Sequence, residues 1–269
     1  MTQNINLESK LLLTLEEEGL SVFTTDDAKE ILRTTDPSVW HVLNGLVHKS
    51  RIQRIERGRY LLIPARAGIE RQWAESPWMI VPRLVDTYYV GFWTAMNYWG
   101  MTEQIPYIVF VAITKRKRNL EFGGQRFQFV KLSSKKFFGF VEERAGKRGL
   151  FNVSSREKTV VDGLTHPEYC GGIVEVTKAM WNTRKEADWE TVLEMAERVG
   201  INVVLKRLGY LLSALGIEEK ISGKAREKLQ KSPRHHLDPI TDRGKLGISK
   251  EYGLIINRGK DELLAWLDH

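Results

Sequence analysis

The sequence predicts an α+β fold in two domains. Three helices and a β-hairpin come first, then a mixed α/β domain that is strand-rich at its start and helical later. Three observations carry the prediction. At 269 residues, 42% hydrophobic and 28% charged, the chain is long enough for two cores and far from a disordered composition. The apolar period switches from helical to alternating after Lys49. Strand-like runs then recur between Tyr107 and Val153, and helical runs follow from Ser155 to Leu215. These shifts place a first domain at residues 1–66, a connector at 67–82 and a second domain at 83–269.

Leu7, Leu11, Leu12 and Leu15 recur at helical spacing, and Gly19 offers a left-handed stop, so a first helix is expected over residues 7–18. Thr24 with Asp27 three residues on has the form of an N-terminal cap, and Ala28, Ile31 and Leu32 give a short second helix its apolar side. A third should run from Pro37 to about Lys49, because proline in the first turn lacks only an amide that would be unpaired there. Its apolar stripe reads as Val39, Trp40, Leu43, Leu46 and Val47, with Ser38, His41, Asn44, Gly45 and His48 on or near the opposite face. Ile52 to Ile55 and Tyr60 to Ile63 flank Glu56-Arg57-Gly58-Arg59, the pattern of a hairpin with an arginine-rich, glycine-bearing tip.

Three helices followed by a basic hairpin resemble a winged helix-turn-helix domain, in which the third helix enters the major groove and the wing follows the backbone. Charge is polarised to match. Residues 1–32 hold two basic against seven acidic side chains, net −5, and residues 33–66 hold seven against two, net +5. Double-stranded DNA is the expected partner. Ser38, His41 and Asn44 are short enough to meet base edges, while Lys49, Arg51, Arg54, Arg57 and Arg59 suit phosphates. A basic hairpin is also a common solvated edge, and such helices sometimes bind protein instead.

The connector holds Gly68, Pro77, Trp73 and Trp78. Asp86 to Gly100 is dense in aromatic residues and reads as a helix buried in the second core. Strands are expected at Tyr107–Ile113, Phe127–Leu132, Phe137–Val141 and Leu150–Val153. Between Lys115 and Arg148 eleven basic residues face three acidic ones, a net +8. That stretch is either a lysine-guarded sheet edge or a second contact surface. Lys115, Arg116, Lys117, Arg118, Lys135 and Lys136 would form such a surface, joined by Lys206 and Arg207, whose charges are expected to stay exposed. Ser154-Ser155-Arg156-Glu157 has the form of a capping box. Further helices are expected at Val174–Trp181, Asp188–Val199 and Asn202–Leu215.

The net charge of +7 and pI near 9.4 suit a polyanionic partner without requiring one. Cys170 alone cannot form an internal disulfide or a cysteine-based zinc cluster, which fits a reducing compartment. The longest purely apolar run, Ile108 to Ile113, is far below the roughly 20 residues of a membrane span, so the expected place is the cytoplasm. An enzyme is not expected, and neither a cofactor nor a metal is called for. Gly171-Gly172 lacks the Gly-Ser turn and following Asp-x-Asp pair of a nucleotidyltransferase. Glu218-Glu219-Lys220 has the letters of a nuclease motif in a helical, polar segment. His235-His236 beside Pro233 reads as a solvated loop pair rather than a ligand pair.

Several strings in order resemble the AbiEi-type antitoxins of type IV toxin-antitoxin systems, which are also transcriptional regulators. They are Ile55-Glu56-Arg57-Gly58-Arg59-Tyr60, Gly100-Met101-Thr102-Glu103-Gln104, Ser155-Arg156-Glu157-Lys158-Thr159-Val160-Val161-Asp162 and Gly171-Gly172. Lys206-Arg207-Leu208-Gly209-Tyr210-Leu211-Leu212, Leu237-Asp238-Pro239 and Tyr252-Gly253-Leu254-Ile255-Ile256-Asn257 complete the series. The resemblance implies an N-terminal domain that represses its own operon and a C-terminal domain that counters a nucleotidyltransferase-like toxin. The alternatives that stay open are a stand-alone DNA-binding regulator and a nucleic-acid-processing enzyme with a nuclease-like C-terminal domain.

Overall fold

Asn6 starts the first helix by accepting a hydrogen bond from the Glu8 amide, and Gly19 ends it in the left-handed region at φ 66°. A computed structural model describes residues 6–64, 78, 80–122, 124–145, 149–217, 229, 233–241 and 244–268. It is mixed α and β, with helices and several sheets. The chain divides into two compact units: residues 1–86 with 119–127 and 145–149, and residues 87–118 with 128–144 and 150–269. Most of the connector, residues 67–77 and 79, lies outside the described residues.

The first unit begins α1 (Leu7–Glu18), β1 (Val22–Thr24), α2 (Thr25–Leu32), α3 (Asp36–His48), β2 (Ile52–Glu56), β3 (Arg59–Leu62), α4 (Val81–Leu84). Thr24 and Asp27 form a reciprocal capping box at the start of α2, each side chain bonded to the other's amide. The three strands pair antiparallel in the order β1-β3-β2, with Val22 opposite Leu61 and Ile52 opposite Leu62. At three residues, β1 is too short to show a period, so the sequence did not announce it. Leu11, Leu15, Phe23, Leu32, Val39, Leu43, Leu46 and Tyr60 form the core of this unit. Each aliphatic side chain there contributes about 1.5–3 kcal/mol by leaving water. Gly58 turns the hairpin at φ 72°, and its carbonyl accepts the Thr25 amide at 2.9 Å. That amide is one of the donors a helix start leaves without a partner, so the hairpin tip is fastened to the start of α2.

The chain continues through β4 (Tyr88–Val90), α5 (Phe92–Tyr98), β5 (Ile108–Ile113), β6 (Leu120–Phe122), β7 (Gln125–Lys131), β8 (Phe140–Ala145) and β9 (Gly149–Ser154). The sheet order is β6-β7-β5-β4-β9-β8, with β4 antiparallel to β5 and parallel to β9. Helices α6 (Arg156–Thr165), α7 (Ile173–Asn182), α8 (Trp189–Val199) and α9 (Asn202–Leu215) follow. Ser155 caps α6, Asp188 caps α8 and Gly216 closes α9 in the left-handed region. A small sheet of β10 (His235–His236), β11 (Gly247–Ser249) and β12 (Leu254–Ile256) precedes α10 (Lys260–Leu264). Phe92, Met96, Phe110, Val161, Leu164, Val176, Val192, Leu208 and Leu212 belong to the core of the second unit.

Two expected elements differ. Asp86 to Gly100 is not one helix but β4 followed by α5, separated at Gly91. Tyr88, Tyr89 and Val90 are all buried, so the strand carries no alternation to betray it. The strand expected at Phe137–Val141 begins only at Phe140, because the Phe137 amide is held in a turn by the Ser133 carbonyl at 3.1 Å.

Candidate nucleic-acid interface

Helix α3 buries Val39, Val42, Leu43 and Leu46, not the stripe with Trp40 and Val47 that the sequence suggested. Trp40 is 52% exposed and Val47 37%. At about 100° per residue the four buried positions span an arc of about 100°, and Trp40 and Val47 fall outside its edge. The exposed side of α3 therefore carries Trp40, His41, Asn44, Val47 and His48. Ser38 is half-buried with its Oγ 3.0 Å from Thr35 Oγ1, and it shares a flank with Gly45 and Lys49. Glu8 of α1 covers that flank: its carboxylate lies 2.6 Å from Lys49 Nζ, and 2.6 Å from where a side chain on Gly45 would begin. The structure brings His41 and Asn44 together on the exposed side and leaves Ser38 turned aside.

The basic residues of the hairpin divide in the same way. Arg54 and Arg57 are exposed, Arg57 beside the Gly58 turn. Arg59 is half-buried, bonded to the Glu56 carboxylate and donating to the Leu84 carbonyl at 3.0 Å. Arg51 is half-buried, and its Nε has no hydrogen-bond partner among the described residues. Arg54 and Arg57 are thus the residues of this group best placed to meet phosphate, while Lys49 and Arg59 already hold carboxylates.

In the second unit Lys115, Arg116, Arg118 and Lys135 are exposed. Lys117 and Lys136 are half-buried, and the Lys117 ammonium stands 5.6 Å from the centroid of the Phe129 ring. Lys147, Arg148 and Glu218-Glu219-Lys220 lie outside the described residues. Lys206 and Arg207 do not belong to any basic surface, for they are 0% and 4% exposed. Lys206 donates to the carbonyls of Pro233 and Gly253. Arg207 donates to Leu164 at 2.7 Å, Leu237 at 3.0 Å and His236 at 3.4 Å. Leu164 lies in the last turn of α6, whose carbonyls have no partner within the helix, and this supply of acceptors is what allows the cation inside. Burial pushes the Arg207 pKa down to about 10, opposed by Glu168 and Asp238, so it keeps its charge at neutral pH.

A buried ionic cluster escaped the sequence reading. Lys158 and Asp162, one turn apart on α6, pair at 0% and 3% exposure. The Tyr89 hydroxyl donates to Asp162 Oδ2 at 2.9 Å and accepts from Lys158 Nζ at 3.1 Å. Burial, and then the Asp162 charge, hold the Tyr89 phenol well above its usual pKa. The three groups satisfy one another and tie β4 to α6. Their only sequence signal was the four-residue spacing of Lys158 and Asp162, which surface pairs share.

His235 and His236 lie on β10, not in a loop, and neighbours on a strand point to opposite sides, so the two do not chelate one ion. A cleft of about 600 Å³ beside them is lined by Val203, Arg207, Asp238, Thr241 and Lys245. Among the described residues no group of three or more His, Cys, Asp or Glu side chains is placed to hold a metal. No helix among them is long and apolar enough to cross a membrane.

No protein-family model matches the chain, and no curated protein matches it. Among solved structures the chain is similar to the crystal structure of the RV2827C protein from Mycobacterium tuberculosis. The TM-score is 0.72 at 14% sequence identity, covering 98% of this chain and 95% of that one. At that identity the likeness is one of fold: the mixed α/β architecture recurs over nearly the whole of a second protein.

Proposed function

We propose that the first unit is a winged helix-turn-helix DNA-binding domain and that the chain is a transcriptional regulator of its own operon. The observation that carries this reading is the pairing of two exposed features in one unit. Helix α3 presents His41 and Asn44, and the hairpin presents Arg54 and Arg57. A helix about 10–12 Å across fits a major groove about 12 Å wide, and the hairpin is then the wing that meets phosphates. The order α1, β1, α2, α3, β2, β3 with strand order β1-β3-β2 supports the same reading.

For the second unit we carry forward the role implied by the antitoxin resemblance, which is to counter a nucleotidyltransferase-like toxin by binding rather than by catalysis. The C-terminal strings that suggest it are Gly100–Gln104, Ser155–Asp162, Gly171-Gly172, Lys206–Leu212, Leu237–Pro239 and Tyr252–Asn257, and all but the glycine pair contain a buried polar residue. Binding of the full chain to the duplex upstream of its own reading frame, measured by fluorescence anisotropy against a scrambled duplex, tests the first part. Equal affinity for both duplexes at every salt concentration overturns operator reading. Co-expression with the product of a neighbouring nucleotidyltransferase-like gene tests the second. Protection by both the full chain and its Arg57→Ala variant supports an antitoxin, and absence of protection leaves the stand-alone regulator.

A further inference from the structure

Trp40 stands 52% exposed on α3, with Val47 two turns on at 37% and Asn44 between them. An aromatic side chain buries about 150–250 Å² when covered, so this exposed indole offers an occupant a large apolar contact. Charge and area choose it. A protein interface of standard size needs about 800 Å² on each side and is depleted in charge at its centre. Here two apolar side chains stand among His41, Asn44 and His48, in a unit whose hairpin presents Arg54 and Arg57. Isolated apolar contacts beside polar side chains and cations are what the major groove asks for, since thymine alone presents a methyl group there.

We propose, building on the DNA-binding reading of this unit, that Trp40 reads thymine through its 5-methyl group. Trp40 and Asn44 lie four residues apart, about 6 Å along the axis, against about 3.4 Å between base pairs. The thymine therefore lies within about two base pairs of the base that Asn44 contacts. No hydrogen bond is needed, so the indole selects thymine by covering the methyl, and uracil, which differs by that methyl alone, is the discriminating probe.

The test uses the full chain and duplexes that it selects from a randomised pool, with each thymine replaced in turn by uracil. Uracil at one or two positions should weaken binding about fourfold, the worth of one buried methyl. Trp40→Ala should lower affinity and bring that ratio to about 1, and Trp40→Phe should keep part of it. Arg57→Ala should lower affinity and leave the ratio intact. Equal binding of thymine and uracil at every position overturns the proposal, as does a ratio that persists in a Trp40→Ala variant with an unchanged melting temperature. Trp40→Ala that alters the oligomeric mass and leaves DNA affinity untouched assigns the indole to a protein contact instead. A chain that binds no duplex at all overturns the DNA-binding reading itself.

Discussion

Glu8 on α1 and Lys49 just past the end of α3 are 41 residues apart in sequence and 2.6 Å apart in space. The pair places a carboxylate on the flank of the helix proposed to enter DNA, where it offsets the charge of Lys49. Glycine at position 45 belongs to the same arrangement, because Glu8 Oε1 fills the space its side chain would take.

Removing that carboxylate should therefore strengthen binding. Glu8→Gln is expected to raise affinity for duplexes of any sequence and to steepen the dependence of log affinity on log salt by up to about 1, the change for one more neutralised phosphate. A salt titration of the full chain checks it. An unchanged slope would keep Lys49 out of the interface.

Arg57 and Arg59 should part company although only Gly58 separates them. Arg57→Ala should flatten the salt slope by about 1 and leave folding alone, since the side chain is exposed. Arg59→Ala should lower the melting temperature instead, because it removes donors to the Glu56 carboxylate and the Leu84 carbonyl. Equal slopes and equal melting temperatures in the two variants would contradict the assignment.

Asn44→Ala should reduce preference for the upstream duplex over a scrambled one by about 1–3 kcal/mol, the range for a bidentate base contact. Ser38→Ala should change that preference little, because its hydroxyl faces Thr35 on the flank of α3. Competition binding at fixed salt distinguishes them, and a larger loss at Ser38 would mean that the reading face is misplaced.

In the second unit, Asp162→Asn strands the Lys158 ammonium in the core, and breaking a buried pair in this way costs about 3–5 kcal/mol. Replacing both partners together, Lys158→Met with Asp162→Leu, should cost less, because no charge is left unpaired inside and only the neutral Tyr89 hydroxyl loses its partners. Urea unfolding of the single and double variants makes the comparison. Equal destabilisation would show that packing around Gly139, whose missing side chain leaves room for the Lys158 stem, matters more than charge.

What the sequence by itself determined were the features that neighbours along the chain decide. The Thr24–Asp27 cap, the Gly19 and Gly216 stops and the Gly58 turn each depend on residues within about four positions, whereas the box expected over Ser154–Glu157 is replaced by a single cap at Ser155, whose side chain accepts the Lys158 amide. The helices and the hairpin were legible for that reason. Tertiary structure alone decided which side of each element meets water. Val42 lies inside α3 and Trp40 outside because of how α3 packs in its unit's core, and the composition of the helix fits either phase. Lys206 and Arg207 looked like surface cations until carbonyls 27 to 47 residues away along the chain became their partners. Tyr89 and Asp162, 73 residues apart, close their hydrogen bond only because β4 and α6 come together. A cation or carboxylate is stable inside only where such distant acceptors and donors converge, and that convergence is a property of the folded chain rather than of any local string.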